Sequence, residues 1–250
     1  MRAIFLVPAF MAIVGCSVDS DAGDVKLSGQ NGARSYNVAN FDEISAYGPD
    51  TVIVKVGGPF SVKAEGDTAL LDRLEVEVKG SDLRIGRKRT GGVQIGGNNG
   101  AVTFTVTLPA IKAASLAGSG DMQIDSVAAA KFEAKMAGSG NLAIDAIKAD
   151  DLDVSIAGSG DVKLAKGSVG HQEYSIAGSG NVEAMGVASK TVDISIAGSG
   201  DLKLAASEKA NVSIMGSGDV EIVGTTQCSV NKMGSGDVRC TPAAAAPAAN

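Results

Sequence analysis

Through the second half of the chain, apolar and polar residues alternate in short runs that break at a Gly-rich turn. Leu152, Val154 and Ile156 alternate with Asp153 and Ser155; beyond the turn, Val162 and Leu164 alternate with Asp161 and Lys163. Val192, Ile194 and Ile196, followed by Leu202 and Leu204, repeat the arrangement. Alternation with period two on both sides of a turn predicts two strands, each with one buried face. A lone two-stranded unit is marginal in water. The copies are therefore expected to stack, each burying its apolar face and pairing its edges with the next.

The turn reads Gly118-Ser119-Gly120-Asp121 and recurs at 138–141, 158–161, 178–181, 198–201, 216–219 and 234–237. The spacings are 20, 20, 20, 20, 18 and 18 residues. A fixed period of this length marks a solenoid. The predicted fold is all-β, a right-handed parallel β-solenoid (β-helix) with coils of about 20 residues over 112–240. Glycine suits a reversal whose neighbours lie about 4.8 Å above and below, because it accepts positive φ and carries no side chain toward the next coil. No helical pattern follows any copy and no Lys stands at the required place, so the motif is not a phosphate-binding loop.

The fourth turn position reads Asp121, Asn141, Asp161, Asn181, Asp201, Asp219 and Asp237. In register, these form a ladder in which alternating Asn and Asp hold like charges two coils apart over the first five copies. Two readings stand: solvated turn capping, or a weak calcium ladder of carboxylate and amide oxygens. The last copy departs from the pattern, with Lys232 where the preceding copy has inward Ile214. A charge there suits the final coil of a stack. The same alignment places Cys228 and Cys240 at inward positions.

The first half is less regular. Residues 51–56, 60–64, 74–78, 82–85 and 102–108 read as strands, 68–73 as a helical turn and 91–100 as a Gly/Asn loop. With no compositional break before the repeats, this half is read as leading coils of one solenoid domain over 36–240. Residues 241–250, rich in Ala and Pro, are expected to be a disordered tail.

Met1-Arg2 followed by the apolar run 3–14 has the length of an export signal and is too short for a membrane span. Ile13-Val14-Gly15-Cys16 resembles a bacterial lipobox, which implies cleavage before Cys16 and lipid on its thiol. The alternative is an ordinary signal peptide with an incidental cysteine. In the lipoproteins it resembles, Ser17 after the cysteine goes with outer-membrane sorting. The expectation is a Gram-negative outer-membrane lipoprotein, facing periplasm or surface, with a signal at 1–16 and a flexible tether at 17–35. Lipidation of Cys16 leaves Cys228 and Cys240 to pair in an oxidising compartment.

Composition narrows the chemistry. Hydrophobic residues make up 44% of the chain but aromatics only 4%, with no Trp and 33 Gly; that suits a thin aliphatic interior rather than a broad globular core. A net charge of −6 gives no reason to expect nucleic acid as a partner. The basic cluster Arg84, Arg87, Lys88, Arg89 reads as a solvated strand end.

Phe41-Asp42-Glu43-Ile44, Leu83-Arg84-Ile85, Thr105-Val106-Thr107-Leu108-Pro109 and the Gly-Ser-Gly turns together resemble the putative auto-transporter adhesin "head GIN" domain over about 36–240. The resemblance implies a β-helical fold and an adhesion role, with no catalytic residues to transfer. The residues agree in pointing away from an enzyme or a cofactor. The single His171 is placed in a turn between strands, and no turn serine has a base beside it. The faces repeat Asp153, Ser155, Lys163 and Asp193, Ser195, Lys203, which suits an extended glycan or a surface protein. A structural envelope lipoprotein without a ligand is the alternative, and a polysaccharide-acting β-helix enzyme a more distant one.

Overall fold

The computed structural model describes residues 28–88 and 100–242. Cys16, the signal segment, most of the tether, Arg89, most of the Gly/Asn loop and residues 243–250 lie outside the described residues.

In the repeat half each coil gives one short strand and one long strand to two parallel sheets. Met122–Ile124, Leu142–Ile144, Val162–Leu164 and Val182–Ala184 stack in one; Val127–Gly138, Ile147–Gly158, Gly167–Gly178 and Val187–Gly198 stack in the other. The register is one period: Leu142 pairs with Val162, Leu152 with Gln172, Gly158 with Gly178. Equivalent residues therefore stand above one another, as a β-solenoid with roughly 20-residue coils requires.

The long strand turns a corner. In Ile147–Gly158 the buried residues are Ile147 and Ala149, then Leu152, Val154 and Ile156. The parity changes at exposed Asp150 and Asp151. Each coil thus presents three apolar sides to one core, which two-sided alternation alone did not predict. The 18-residue coils lose residues at this corner, where the long strand shortens to Lys209–Gly216.

The core is aliphatic apart from a few rings, with Tyr174, Phe132 and Phe104 fully buried. Gln172 also points inward, where neighbouring coils carry Leu152 and Val192. It is buried, and the Tyr174 hydroxyl donates to its Oε1 at 2.6 Å. Burial pushes the Tyr174 phenol well above its ordinary pKa, so it remains a donor. The pair is satisfied on one side only: the Tyr174 hydroxyl serves Gln172 Oε1, while Gln172 Nε2 is buried without a hydrogen-bond partner.

The first half is built differently from a run of leading coils. Its elements are β1 (Asn31–Tyr36), β2 (Glu43–Gly48), β3 (Thr51–Val56), β4 (Ser61–Asp67), α1 (Thr68–Leu71), β5 (Leu74–Lys79), β6 (Asp82–Arg87) and β7 (Thr103–Leu108). β2 lies between β6 and Ala113–Gly118; β3 lies between β7 and Met122–Ile124; all four pairings are parallel. The coil made by β2 and β3 therefore sits inside the stack, above a coil that comes later in the chain. Beyond it, β1–β4, β4–β7 and β5–β6 are antiparallel. This corrects the reading of the whole first half as successive coils. Antiparallel strands thus end the parallel stack on this side, with β1 and β5 as the outermost strands of the two sheets, while α1 buries Leu70 and Leu71. The tether reading is corrected too: residues 31–35 belong to β1, paired with β4.

At the other end, Cys228 and Cys240 form a disulfide between the last strands of the two sheets. A loop of that length is worth roughly 3 kcal/mol. Lys232 stands opposite Ile214, and its Nζ donates to the Gly236 carbonyl at 2.5 Å. The final strand continues through Thr241 to Pro242, past the expected start of the tail.

Where the first coil meets the one beneath it, a charge pair replaces a turn. Asp50, 3% exposed at its side chain, takes Arg87 Nε at 2.9 Å and Nη2 at 2.5 Å, and accepts the Val102 N–H at 2.9 Å. The basic cluster is accordingly not a simply solvated strand end: Arg87 closes this gap and Arg84 is bonded to Asp82. Removing one partner of a buried pair leaves an uncompensated charge. Arg87→Ala is expected to lower unfolding free energy by about 3–5 kcal/mol in urea titrations. Lys163→Ala, which breaks an exposed pair with Glu183, should cost less than about 1 kcal/mol.

Candidate functional site

The turns form one column, and its chemistry is backbone chemistry. The N–H of Ser159 donates to the Gly138 carbonyl at 2.9 Å, and Ser139, Ser179, Ser199, Ser217 and Ser235 repeat the bond one coil apart. That bond brings a carbonyl oxygen to where a side chain of the next turn would start. A Cβ at Gly158 would lie 2.1 Å from the Gly138 oxygen, and one at Gly160 would lie 2.0 Å from the Gly140 oxygen. Gly158 also has φ of 139°, whereas Gly160 needs no positive φ. The first glycine is thus required by conformation and by space, the second by space alone.

The ladder beside the turns is in register. Asp121 Oδ1 accepts the Asn141 N–H at 2.9 Å and its Nδ2 at 2.9 Å; Asn141 Oδ1 accepts the Asp161 N–H at 3.3 Å. Asp161 serves Asn181, Asn181 serves Asp201, Asp201 serves Asp219 and Asp219 serves Asp237 in the same way. One oxygen of each of the six side chains from Asp121 to Asp219 is thereby committed to the next coil's backbone. Among the described residues no group of three or more His, Cys, Asp or Glu is placed to hold a metal ion.

The two outer faces carry different chemistry. On the long-strand sheet, Glu133, Asp153, Glu173 and Asp193 stand in one column, continued by Asn211 and Ser229. Lys135 at 2.9 Å and Lys131 at 3.0 Å grip Glu133 and hold its carboxyl below the usual range. Asn211 Nδ2 donates to Asp193 at 2.5 Å. Beside the acids run Ser155, Ser175, Ser195 and Ser213, then Ala117, Ala137, Ala157, Ala177 and Ala197, succeeded by exposed Met215 and Met233. On the short-strand sheet, Lys163, Glu183, Lys203, Glu221 and Arg239 alternate in sign along the axis. Asp153 and Ser155 therefore do not share a face with Lys163, nor Asp193 and Ser195 with Lys203.

His171 lies within the strand Gly167–Gly178 rather than in a turn between strands. Its Nδ1 is 2.8 Å from Thr191 Oγ1 and its Nε2 is 3.5 Å from the Asp193 carboxylate. These partners resemble those of a hydrolytic triad, but the strand's backbone N–H groups are engaged in the parallel ladder on an open face. The alternation also gave no sign of Tyr47, which occupies the alanine column next to Ala117 and is 48% exposed. Its place becomes visible only when Gly48-Pro49-Asp50 is aligned with Gly118-Ser119-Gly120, as the strand register dictates.

Residues 40–226 match the family described as "Putative auto-transporter adhesin, head GIN domain". The fold is similar to the crystal structure of a putative adhesin from Bacteroides fragilis NCTC 9343, with a TM-score of 0.77 and 25% identity over 86% of this chain and 98% of that one. A putative lipid binding protein from Parabacteroides distasonis ATCC 8503 has a TM-score of 0.68 and 24% identity, over 86% of this chain and 98% of its own. A putative adhesin from Parabacteroides merdae ATCC 43184 has a TM-score of 0.68 and 19% identity, over 87% and 98%. Among curated proteins none matches.

Two substitutions separate the turn from the ladder. Gly160→Val is expected to cost about 4 kcal/mol or more, or to prevent folding, because the obstacle is backbone that cannot move aside. Asp161→Asn should stay within about 1 kcal/mol, since Asn fills the equivalent positions and still offers an acceptor. Thermal unfolding of both, with and without millimolar calcium, is the measurement, and no calcium-dependent shift is expected.

Proposed function

The chain belongs to the putative auto-transporter adhesin, head GIN domain family, and from that membership we propose a non-enzymatic cell-envelope module that binds a partner on the outer face of its coils. The observation that carries this reading is the in-register long-strand face, where an acidic column, a serine column and an alanine column run side by side along the stack. Such a face offers hydrogen-bonding groups at every coil and suits an extended partner, a glycan or a surface protein, better than a compact substrate. A disulfide at the end of the stack supports an exported location. Within this proposal Cys16 carries lipid and anchors the domain at the outer membrane of a Gram-negative cell.

A structural role without a ligand is favoured by one observation, the ladder whose oxygens are used inside the stack. Cells lacking the protein distinguish the two readings. Binding predicts severalfold weaker attachment to surfaces coated with matrix protein or polysaccharide, restored by the intact chain. Unchanged attachment with a weakened envelope would instead support the structural reading. Palmitate labelling should disappear in Cys16→Ala, with the protein released from the membrane fraction; labelling that persists contradicts the anchor.

A further inference from the structure

The long-strand sheet continues past the repeats on to β2, β6 and β5, and there its outer surface changes character. Tyr47 on β2 lies beside Gly86 on β6: a Cβ built at Gly86 would be 3.5 Å from Tyr47 Cβ and 3.9 Å from Cδ2. Gly86 therefore presents no side chain beside the aromatic ring. A groove of about 770 Å³ opens there, lined by Tyr47, Glu75, Glu77, Arg84, Ile85 and Gly86 among others.

Charges in this groove are largely matched within the protein. Arg84 Nε donates to Asp82 at 2.9 Å, Lys79 pairs with Glu77 at 2.7 Å, and Arg87 is held by Asp50. The groove thus offers many donors and acceptors whose charges are mostly paired, and the Glu75 carboxylate at its edge disfavours an anionic ligand. Tyr47 is also exceptional among the three tyrosines of the chain: Tyr174 is fully buried, and the Tyr36 hydroxyl is buried too. A half-exposed ring on a flat sheet, ringed by carboxylates and a guanidinium, combines an apolar platform with planar hydrogen-bonding groups. Neutral sugars need both, since each pyranose has an apolar C–H face and a rim of vicinal hydroxyls.

We propose that this groove is a subsite for a neutral polysaccharide, with the Tyr47 ring stacking on one sugar and Glu75, Glu77 and Arg84 bonding its hydroxyls. The groove ends at Ala117, the first of the alanine column, so a longer chain continues along the coils over small side chains. This assignment rests on the binding-module reading and gives it a ligand class and a place.

Affinity electrophoresis of the intact protein through gels containing barley β-glucan, yeast mannan or dextran, with hyaluronan as the acidic comparison, tests it. At least one neutral polysaccharide should retard the protein. Tyr47→Ala should weaken that retardation about tenfold in apparent Kd, the effect of losing one central aromatic contact. Tyr47→Phe should keep it, and Lys163→Ala on the opposite sheet should leave it unchanged. Thermal unfolding of each variant shows whether it is folded, and Glu77→Gln gives a second reading of the groove by weakening retardation without removing the ring. Retardation by hyaluronan alone, or by none of the gels, overturns the assignment, as does a folded Tyr47→Ala that migrates like the parent. If none of the gels retards the protein while cells carrying it still attach to coated surfaces, the groove is wrong and the binding module stands.

Discussion

Each Gly-Ser-Gly turn donates a serine N–H to a glycine carbonyl one coil below, and the rest of the stack depends on that contact. The bond fixes coil on coil at strand spacing and puts an oxygen where the next turn's Cβ would be. Glycine at the first position is the direct consequence; the same stacking brings a second carbonyl, that of the last glycine below, against the other, and it sets the regular register of every inward and outward column. Once the turns are stacked, apolar residues on the three sides of each coil meet their equivalents above and below. The core then needs no large rings, because each layer is only as thick as one coil.

The same contact explains how the ends differ from the middle. The Asp50 Cβ has no stacked Gly-Ser-Gly turn beneath it, so a side chain is allowed, and its carboxylate takes up Arg87 and the Val102 N–H. The antiparallel strands beyond end both sheets without repeating the coil. At the opposite end the turn is kept but the interior changes, with Lys232 in an aliphatic column and a disulfide joining the last two strands. Closure is therefore electrostatic and topological at one end and covalent at the other.

Much of the repeat half was legible from residues because its information is local and recurs: strand, turn and ladder lie within one period. The inward places of Cys228 and Cys240 followed from aligning the last two copies. The first half was less legible because its coils are out of chain order. Strands at 51–56, 74–78 and 102–108 can be read locally, yet nothing local shows that β2 and β3 are inserted between a later coil and the first repeat. Gly48-Pro49-Asp50 conceals its equivalence to the turns because its third residue needs no glycine. On the faces, Asp153 and Lys163 look like neighbours along the chain but lie on opposite sides of a turn, so they reach different sheets. Tyr47 and its groove depend on the out-of-order pairing and were hidden for that reason.

If stacking of equivalent turns governs the fold, its units are whole coils, and a coil can be removed where half a coil cannot. Deleting residues 141–160 joins Gly140 to Asp161 in phase and restores the backbone register and the turn column one layer shorter. The shortened chain is expected to fold with a cooperative thermal transition and a maximum dimension by X-ray scattering shorter by about 5 Å, one strand spacing. A ten-residue deletion at the same place should abolish folding. Loss of the folded state in the whole-coil deletion, or tolerance of both deletions alike, would contradict the governing role of turn stacking.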